Sequence, residues 1–330
     1  MLRDPDRYHG HGKRHRFFEG WYYKLVDASR SRVLVLIPGI YLGRDPGHHH
    51  GFIQVVQGHR GHMDYIRYPV SDFSAARDRF DIQVGRSRFS LTGLSVDMKT
   101  PDMNLQGTLR FDEVSRWPDS WLHPGSMGIY NYIPHMQCYS QVCAMDMALT
   151  GQIVINGEAL DFTGGRGYVE KNWGQTFPYS WIWVQCNHFD TIPASISCSL
   201  AHIPFPVSSF RGFLIGLSVK DQFYAFTTMN RSKLKIRQKG ADAVIQAENR
   251  LYRLELETLT RRDDFILLPG PQDDQMVPFV QENLSATVHV RLTARNDGRT
   301  LFDEMGVCCG VEYGGDQMMV VDQPQEEAHP

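Results

Sequence analysis

The stretch Gly164 to Phe189, GGRGYVEKNWGQTFPYSWIWVQCNHF, crowds a carboxyl group, an amine, amides and three tryptophans among glycines. If Gly167 to Gly174 is a strand, its period of two places Tyr168, Glu170 and Asn172 on one side and Val169, Lys171 and Trp173 on the other. Glu170 and Lys171 then do not pair directly. A carboxyl buried beside aromatic rings has its neutral form favoured by desolvation, which suits a proton donor near neutral pH. The plainer reading of a single Glu170 is a solvated turn charge or a structural ion pair. In the next stretch the same alternation sets Trp181, Trp183, Gln185, Asn187 and Phe189 against Ile182, Val184, Cys186 and His188. An aromatic face bearing two amides fits a cavity that holds a flat or unsaturated ligand and hydrogen-bonds its polar end. A tryptophan-rich barrel core accounts for the same composition.

A second cluster, Arg16 to Lys24, reads RFFEGWYYK and repeats the ingredients. Here Trp21, Tyr23 and Leu25 oppose Tyr22, Lys24 and Val26, and Glu19 either caps a barrel mouth or faces the ligand. Eight of the 14 histidines lie at or before His62, yet none has H-E-x-x-H spacing and no acidic ligands are interleaved with them. No native metal site is expected. Gly164, Gly165 and Gly167 do not complete G-x-G-x-x-G, and neither a phosphate-binding loop nor G-x-S-x-G occurs. The six cysteines show no C-x-x-C and read as reduced thiols packed in apolar strands.

The elements that must carry these residues are strands. Short runs rich in Val, Ile, Tyr, Phe and Trp recur between Gly, Asp, Asn and Pro, from Trp21 to Asp27 through Val307 to Tyr313. Only Pro278 to Asn283, after the turn-rich Pro269 to Asp274, invites a short helix. About sixteen short strands are too many for one sandwich and suit two tandem barrels or sandwiches. The seam is expected near Gly174 to Ser180, giving units 1–177 and 178–330. The 330 residues carry a formal charge of -3, so no strong field gathers nucleic acid. Met1 to Arg16 has no apolar core of a secretory signal, and Val33 to Leu42 is broken by Pro38 and Gly39, which predicts a cytoplasmic chain without a membrane helix.

The chain resembles the tocopherol cyclase family. RFFEGWYYK looks like that family's opening motif, and GYVEKNWG with FPYSWIWVQCNHF (Gly167 to Gly174, Phe177 to Phe189) looks like its central signature. Supporting stretches are Phe52 to Val56, Tyr65 to Ser74, Pro124 to Asp146 and Gly306 to Gly315. The resemblance implies an all-β fold of two tandem lipocalin-like (calycin) barrels, similar to carotenoid hydratases and certain Diels-Alder cyclases. It also implies cofactor-independent chemistry: protonation of a prenyl double bond and attack of a phenol oxygen on the tertiary cation, closing a chromanol ring. Two features depart from the family. Gln137 and Ser140 stand where its members often carry an acidic residue and a histidine, and no plastid-type presequence is seen.

The resulting expectation is an enzyme that folds a prenyl chain and cyclises it by general acid catalysis. Glu170 is the expected donor, with Asn172 beside it. Trp173, Trp181 and Trp183 would shield the cation, and Asn172, Gln185 and Asn187 would hold the head group, with Glu19, Trp21 and Lys24 nearby. The expected partner is a small apolar or prenylated aromatic ligand, with no nucleic acid and with peripheral membrane contact left open. The alternative is a non-catalytic carrier or sensor of an isoprenoid in the same cavity.

Overall fold

The computed structural model describes residues 4–205, 208–316 and 321–322. The chain divides into two compact units, Met1–Phe177 with Ile266–Val280, and Pro178–Phe265 with Gln281–Pro330. Among the described residues the only helical pieces are short 3-10 turns, and the fold is all-β.

The first sheet is built from β1 (Phe17–Val26), β2 (Val33–Leu42), β3 (His50–Gln57), β4 (His62–Tyr68), β5 (Phe73–Ala75), β6 (Asp81–Val84), β7 (Ser87–Ser90), β8 (Gly93–Lys99), β9 (Asn104–Ser115), β10 (Cys138–Ile155), β11 (Glu158–Asp161) and β12 (Arg166–Gly174). Its order is β4-β3-β2-β1-β12-β10-β9-β8-β7-β6-β5, with β11 paired to β10. The two ends of this order curl toward each other: a Cβ placed on Gly51 of β3 would lie 3.5 Å from Phe73 of β5 and 3.6 Å from Val84 of β6. The result is a nearly closed lipocalin-like barrel. Register shifts on β10 at Val142/Ala144 and Ala144/Met147, opposite β12, supply local bending where the sheet must curve.

Alternation along β1 turns Trp21, Tyr23 and Leu25 into this barrel, where they join Phe80, Phe89 and Phe111 in one buried cluster. Ring centroids stand 6.0 Å apart for Trp21 and Phe80, 5.6 Å for Tyr23 and Phe89, and 6.1 Å for Tyr23 and Phe111. The Tyr23 hydroxyl donates to the Ser90 carbonyl at 3.0 Å, so the buried phenol is satisfied. The inside of this barrel is a packed aromatic core.

The second sheet comprises β13 (Ser180–Cys186), β14 (Ala194–Phe205), β15 (Ser208–Val219), β16 (Gln222–Thr227), β17 (Lys233–Lys239), β18 (Asp242–Glu248), β19 (Tyr252–Leu259), β20 (Phe265–Gln272), β21 (Gln275–Ala294) and β22 (Thr300–Gly315). Its order is β16-β15-β14-β13-β22-β21-β19-β18-β17, with β20 paired to β21, and it forms a half-barrel.

The expected short helix over Pro278 to Asn283 is instead part of β21. Val280, Glu282, Leu284 and Ala286 are buried while Gln281 and Ser285 are exposed, the alternation of a strand, with Asn283 buried as well beside an irregularity in its pairing with β22. Pro278 is tolerated because it sits at an exposed position near the start of the strand. Of the turn-rich Pro269 to Asp274, residues 269–272 continue β20 and only Asp273 and Asp274, both at positive φ of 48° and 63°, form the tip of the β20–β21 hairpin.

Candidate active site

β12 presents two chemically different faces. On the face turned away from the barrel core, the Tyr168 hydroxyl donates to Glu170 Oε2 at 2.5 Å and Asn172 Nδ2 donates to Glu170 Oε1 at 3.4 Å. Across the β1 ladder Tyr22 stands opposite Glu170 and Lys24 opposite Tyr168; across β10, Val142 faces Glu170 and Ser140 faces Asn172. Glu170 keeps 6% of its surface and Lys24 only 1%. Charged groups so far from water persist only where hydrogen bonds or opposite charges replace their hydration. Cys138 lies on the same face, and burial together with the neighbouring Glu170 charge pushes its thiol far up, so it is no thiolate nucleophile.

The opposite face of β12 belongs to the barrel interior. Lys171 and Glu19, both without exposed surface, form an ion pair there. His9 closes the group: its backbone N–H donates to Glu19 Oε2 at 2.8 Å, and its Nδ1 lies 3.2 Å from both Glu19 Oε1 and Lys171 Nζ. Lys171 Nζ also donates to the carbonyls of Arg7, at 2.5 Å, and Asp6, and sits 4.8 Å from the Trp173 ring and 5.1 Å from the Trp21 ring. Trp173 is stacked between His9 and Tyr139 at 4.1 Å and 5.2 Å. Burial raises the Glu19 carboxyl, but Lys171 and His9 outweigh it and hold the group below its ordinary range. Burial and the Lys171 charge lower His9. Residues 6–9 are thereby bonded over the end of the barrel.

In the second unit Ile182, Val184 and Cys186 point into the core, while Trp181, Trp183 and Gln185 lie on the other face of β13 and remain buried, as does Asn187 just beyond it. Trp181 Nε1 donates to Glu312 Oε1 at 2.5 Å. Glu312 stands opposite Trp183 on β22, and Ser197 of β14 stands opposite Gln185. Gly314 makes room for the Trp181 indole, since a Cβ there would come within 2.1 Å of the ring.

The structure therefore gathers Lys24, Glu170 and Asn172 on one face of the first sheet. Glu19, Trp21 and Trp173 are inside the barrel, and Trp181, Trp183, Gln185 and Asn187 are on the non-core side of the second sheet. Two participants escaped the sequence reading. Tyr168 was placed on the Glu170 face without a role, and Glu312 was passed over, although GVEYGG repeats the same combination of acid, aromatic and glycine that marks RFFEGWYYK. The histidines of the run 48–50 each have a partner: His48 Nδ1 bonds the Asp274 carbonyl, His49 Nε2 the Gly43 carbonyl and His50 Nε2, at the start of β3, the Tyr65 hydroxyl of β4. Among the described residues no three His, Cys, Asp or Glu side chains are grouped to hold a metal ion. No helix among them is long and apolar enough to cross a membrane.

Comparison with known proteins follows this geometry. The Tocopherol cyclase-like family model matches residues 98–315, well over half of the chain. The chain belongs to the tocopherol cyclase-like family. Matched relatives include a probable chloroplastic tocopherol cyclase of Oryza sativa subsp. japonica, 25% identical over 190 residues, and the chloroplastic tocopherol cyclase of Zea mays, 24% identical over 190 residues. Each alignment covers 55% of this chain and 40% of the relative, so the chain spans well under half the length of these curated proteins.

Among solved structures, kievitone hydratase from Nectria haematococca superposes with a TM-score of 0.53 at 12% identity, covering 90% of this chain and 89% of that one. CghA gives 0.55 at 10% identity, covering 91% and 88%. These two share the fold of this tocopherol cyclase-like chain. Tyr168, Glu170, Asn172, the β13 residues and Glu312 all lie within the family match, whereas RFFEGWYYK lies outside it.

Proposed function

We propose that this chain is a cofactor-independent cyclase that closes a chromanol-type ring on a prenylated quinol, with Glu170 as general acid. The observation that carries the reading is the buried Glu170 carboxyl held by Tyr168 on one oxygen and Asn172 on the other. With the apolar quinol excluding water, the buried Glu170 carboxylate takes up a proton and passes it to the prenyl double bond, leaving a tertiary cation. The phenol oxygen of the same molecule attacks that cation, and the phenolic proton returns to the carboxylate. Atoms balance without oxidant or reductant, so the reaction is an isomerisation. Tyr168 and Asn172 stabilise the carboxylate that forms at the transition state, the moment when such hydrogen bonds accelerate a reaction. The ligand is a small prenylated aromatic, and a cytoplasmic location with peripheral access to membrane-borne quinols accords with it.

The carrier reading uses the same cavity as the cyclase. The interior of the first barrel is taken by Trp21, Tyr23, Phe80, Phe89 and Phe111, which weighs against placing either ligand there; what favours the cyclase is the Glu170 carboxyl on the opposite face of β12. The direct test is to incubate the purified full chain with a prenylated quinol and follow chromanol by chromatography and mass. Wild-type turnover with loss in Glu170→Gln is expected. A quinol recovered unchanged but bound mole for mole, with affinity insensitive to Glu170→Gln, would establish the carrier instead.

A further inference from the structure

A cleft of about 560 Å³ opens in the first unit between residues 10–14, the end of β2 and the β5 segment. Its floor is apolar, formed by Ile40, Leu42 and Phe73, and its rim carries the exposed cations Lys13, Arg14 and Arg77. No Asp or Glu lines it. Among the described residues these three cations have no carboxylate partner, unlike Arg79, Arg86 and Arg88 nearby, each of which is paired with an aspartate. A larger groove of about 1250 Å³ on the same unit shows the contrast, because Asp81 is paired there with Arg79 and Arg88, and Asp6 with Arg116.

We infer that the smaller cleft is a second binding site, for a small anionic amphiphile whose phosphate or carboxylate head meets Lys13, Arg14 and Arg77 and whose hydrocarbon lies over Ile40, Leu42 and Phe73. The volume falls in the range of small-molecule pockets, in a cleft that stays open to solvent along its rim. Three unneutralised cations converging on one rim attract an anion and reject a cation, and two are arginines, whose planar forks suit phosphate and carboxylate. Half-buried Phe73, above the nearly covered Ile40 and Leu42, gives a hydrocarbon chain a contact that a bare inorganic anion lacks. The site does not depend on the Glu170 reading, because none of its residues belongs to that face.

The test is calorimetric titration of the full chain with monomeric decyl phosphate, beside decanol, inorganic phosphate and vesicles of phosphatidylcholine with or without phosphatidylglycerol. Decyl phosphate is expected to bind once per chain, at least about tenfold more tightly than decanol or phosphate, and to weaken with added salt. The triple variant Lys13→Gln, Arg14→Gln, Arg77→Gln, with all three positions exposed, should weaken it at least about tenfold while leaving decanol unaffected. Phe73→Ala should weaken decyl phosphate without altering its salt dependence. Equal affinity for decanol, or unchanged affinity in the triple variant, overturns the inference. Capture by phosphatidylglycerol vesicles without binding of monomeric decyl phosphate also overturns it, and assigns the cations to a lipid surface.

Discussion

Lys171 stands directly across the β1–β12 ladder from Trp21, yet its ammonium pairs with Glu19, two residues along the same face of β1. The pair is diagonal, and each partner is fully enclosed. The arrangement is intelligible once His9 and the carbonyls of residues 6 and 7 are counted, since they supply the hydrogen bonds that a buried ion pair needs beyond its own attraction.

Removing one partner should cost far more than removing both. Lys171→Met leaves the Glu19 charge uncompensated and is expected to lower the unfolding free energy by about 3–5 kcal/mol. The double variant Glu19→Gln, Lys171→Met should recover a substantial part of that loss. Urea denaturation of the three proteins measures both, and equal stability of Lys171→Met and wild type would show that the pair is not closed in solution.

The same cluster sets an acid dependence. His9 is lowered in the folded state, so the unfolded chain binds the extra proton first, and stability falls as pH drops below about 6.5, the ordinary histidine value. Glu19 is also lowered; its contribution is complete above about 4.3 and is lost as pH falls through its folded value. Unfolding midpoints measured from pH 8 down to about 4 should therefore decline, and His9→Phe should flatten the upper part of the curve.

Gly39→Ala tests the closeness of β1, β2 and β3. A Cβ at Gly39 would meet the Phe52 ring at 2.3 Å and the Glu19 carbonyl at 2.7 Å. Phe52 can rotate, but the carbonyl is fixed by the ladder, so the substitution should destabilise by about 1–3 kcal/mol. A thermal midpoint equal to wild type would contradict that packing.

For catalysis, Glu170→Gln should reduce kcat by about 10²–10⁴-fold, the usual range for loss of a general acid. Tyr168→Phe removes the hydroxyl bonded at 2.5 Å and should lower kcat by about tenfold with KM nearly unchanged, because the bond strengthens in the transition state. A Tyr168→Phe effect confined to KM would make Tyr168 a binding group instead.

Much of this was legible in the chain. A period of two correctly divided Tyr168, Glu170 and Asn172 from Val169, Lys171 and Trp173, and Trp181, Trp183 and Gln185 from Ile182, Val184 and Cys186. Alternation is a local property of a strand and needs no knowledge of its neighbours. What it left open was whether Glu19, if structural, would pair with Lys24 or with Lys171, because ladder partners are chosen by register between segments far apart in sequence. Of the short strands, β6 is legible in the run Phe80 to Val84, whereas β5 and β7, reading FSA and SRFS, hold too few apolar residues to mark a strand. Pro278 misled for a related reason, since a proline between turn residues and an amide reads as a break, while on an exposed strand position it costs no ladder bond.

The topology also fixes an order of events during synthesis. β1 receives its second neighbour, β12, only after residue 174 has been made, and the first unit is complete only when residues 266–280 arrive, behind most of the second. Until then the nascent chain exposes an apolar, aromatic strand with one unmatched edge, the condition that invites chaperone binding and intermolecular pairing. Slower translation or added holdase chaperones are accordingly expected to raise the yield of folded chain more than a stabilising substitution within the finished barrel.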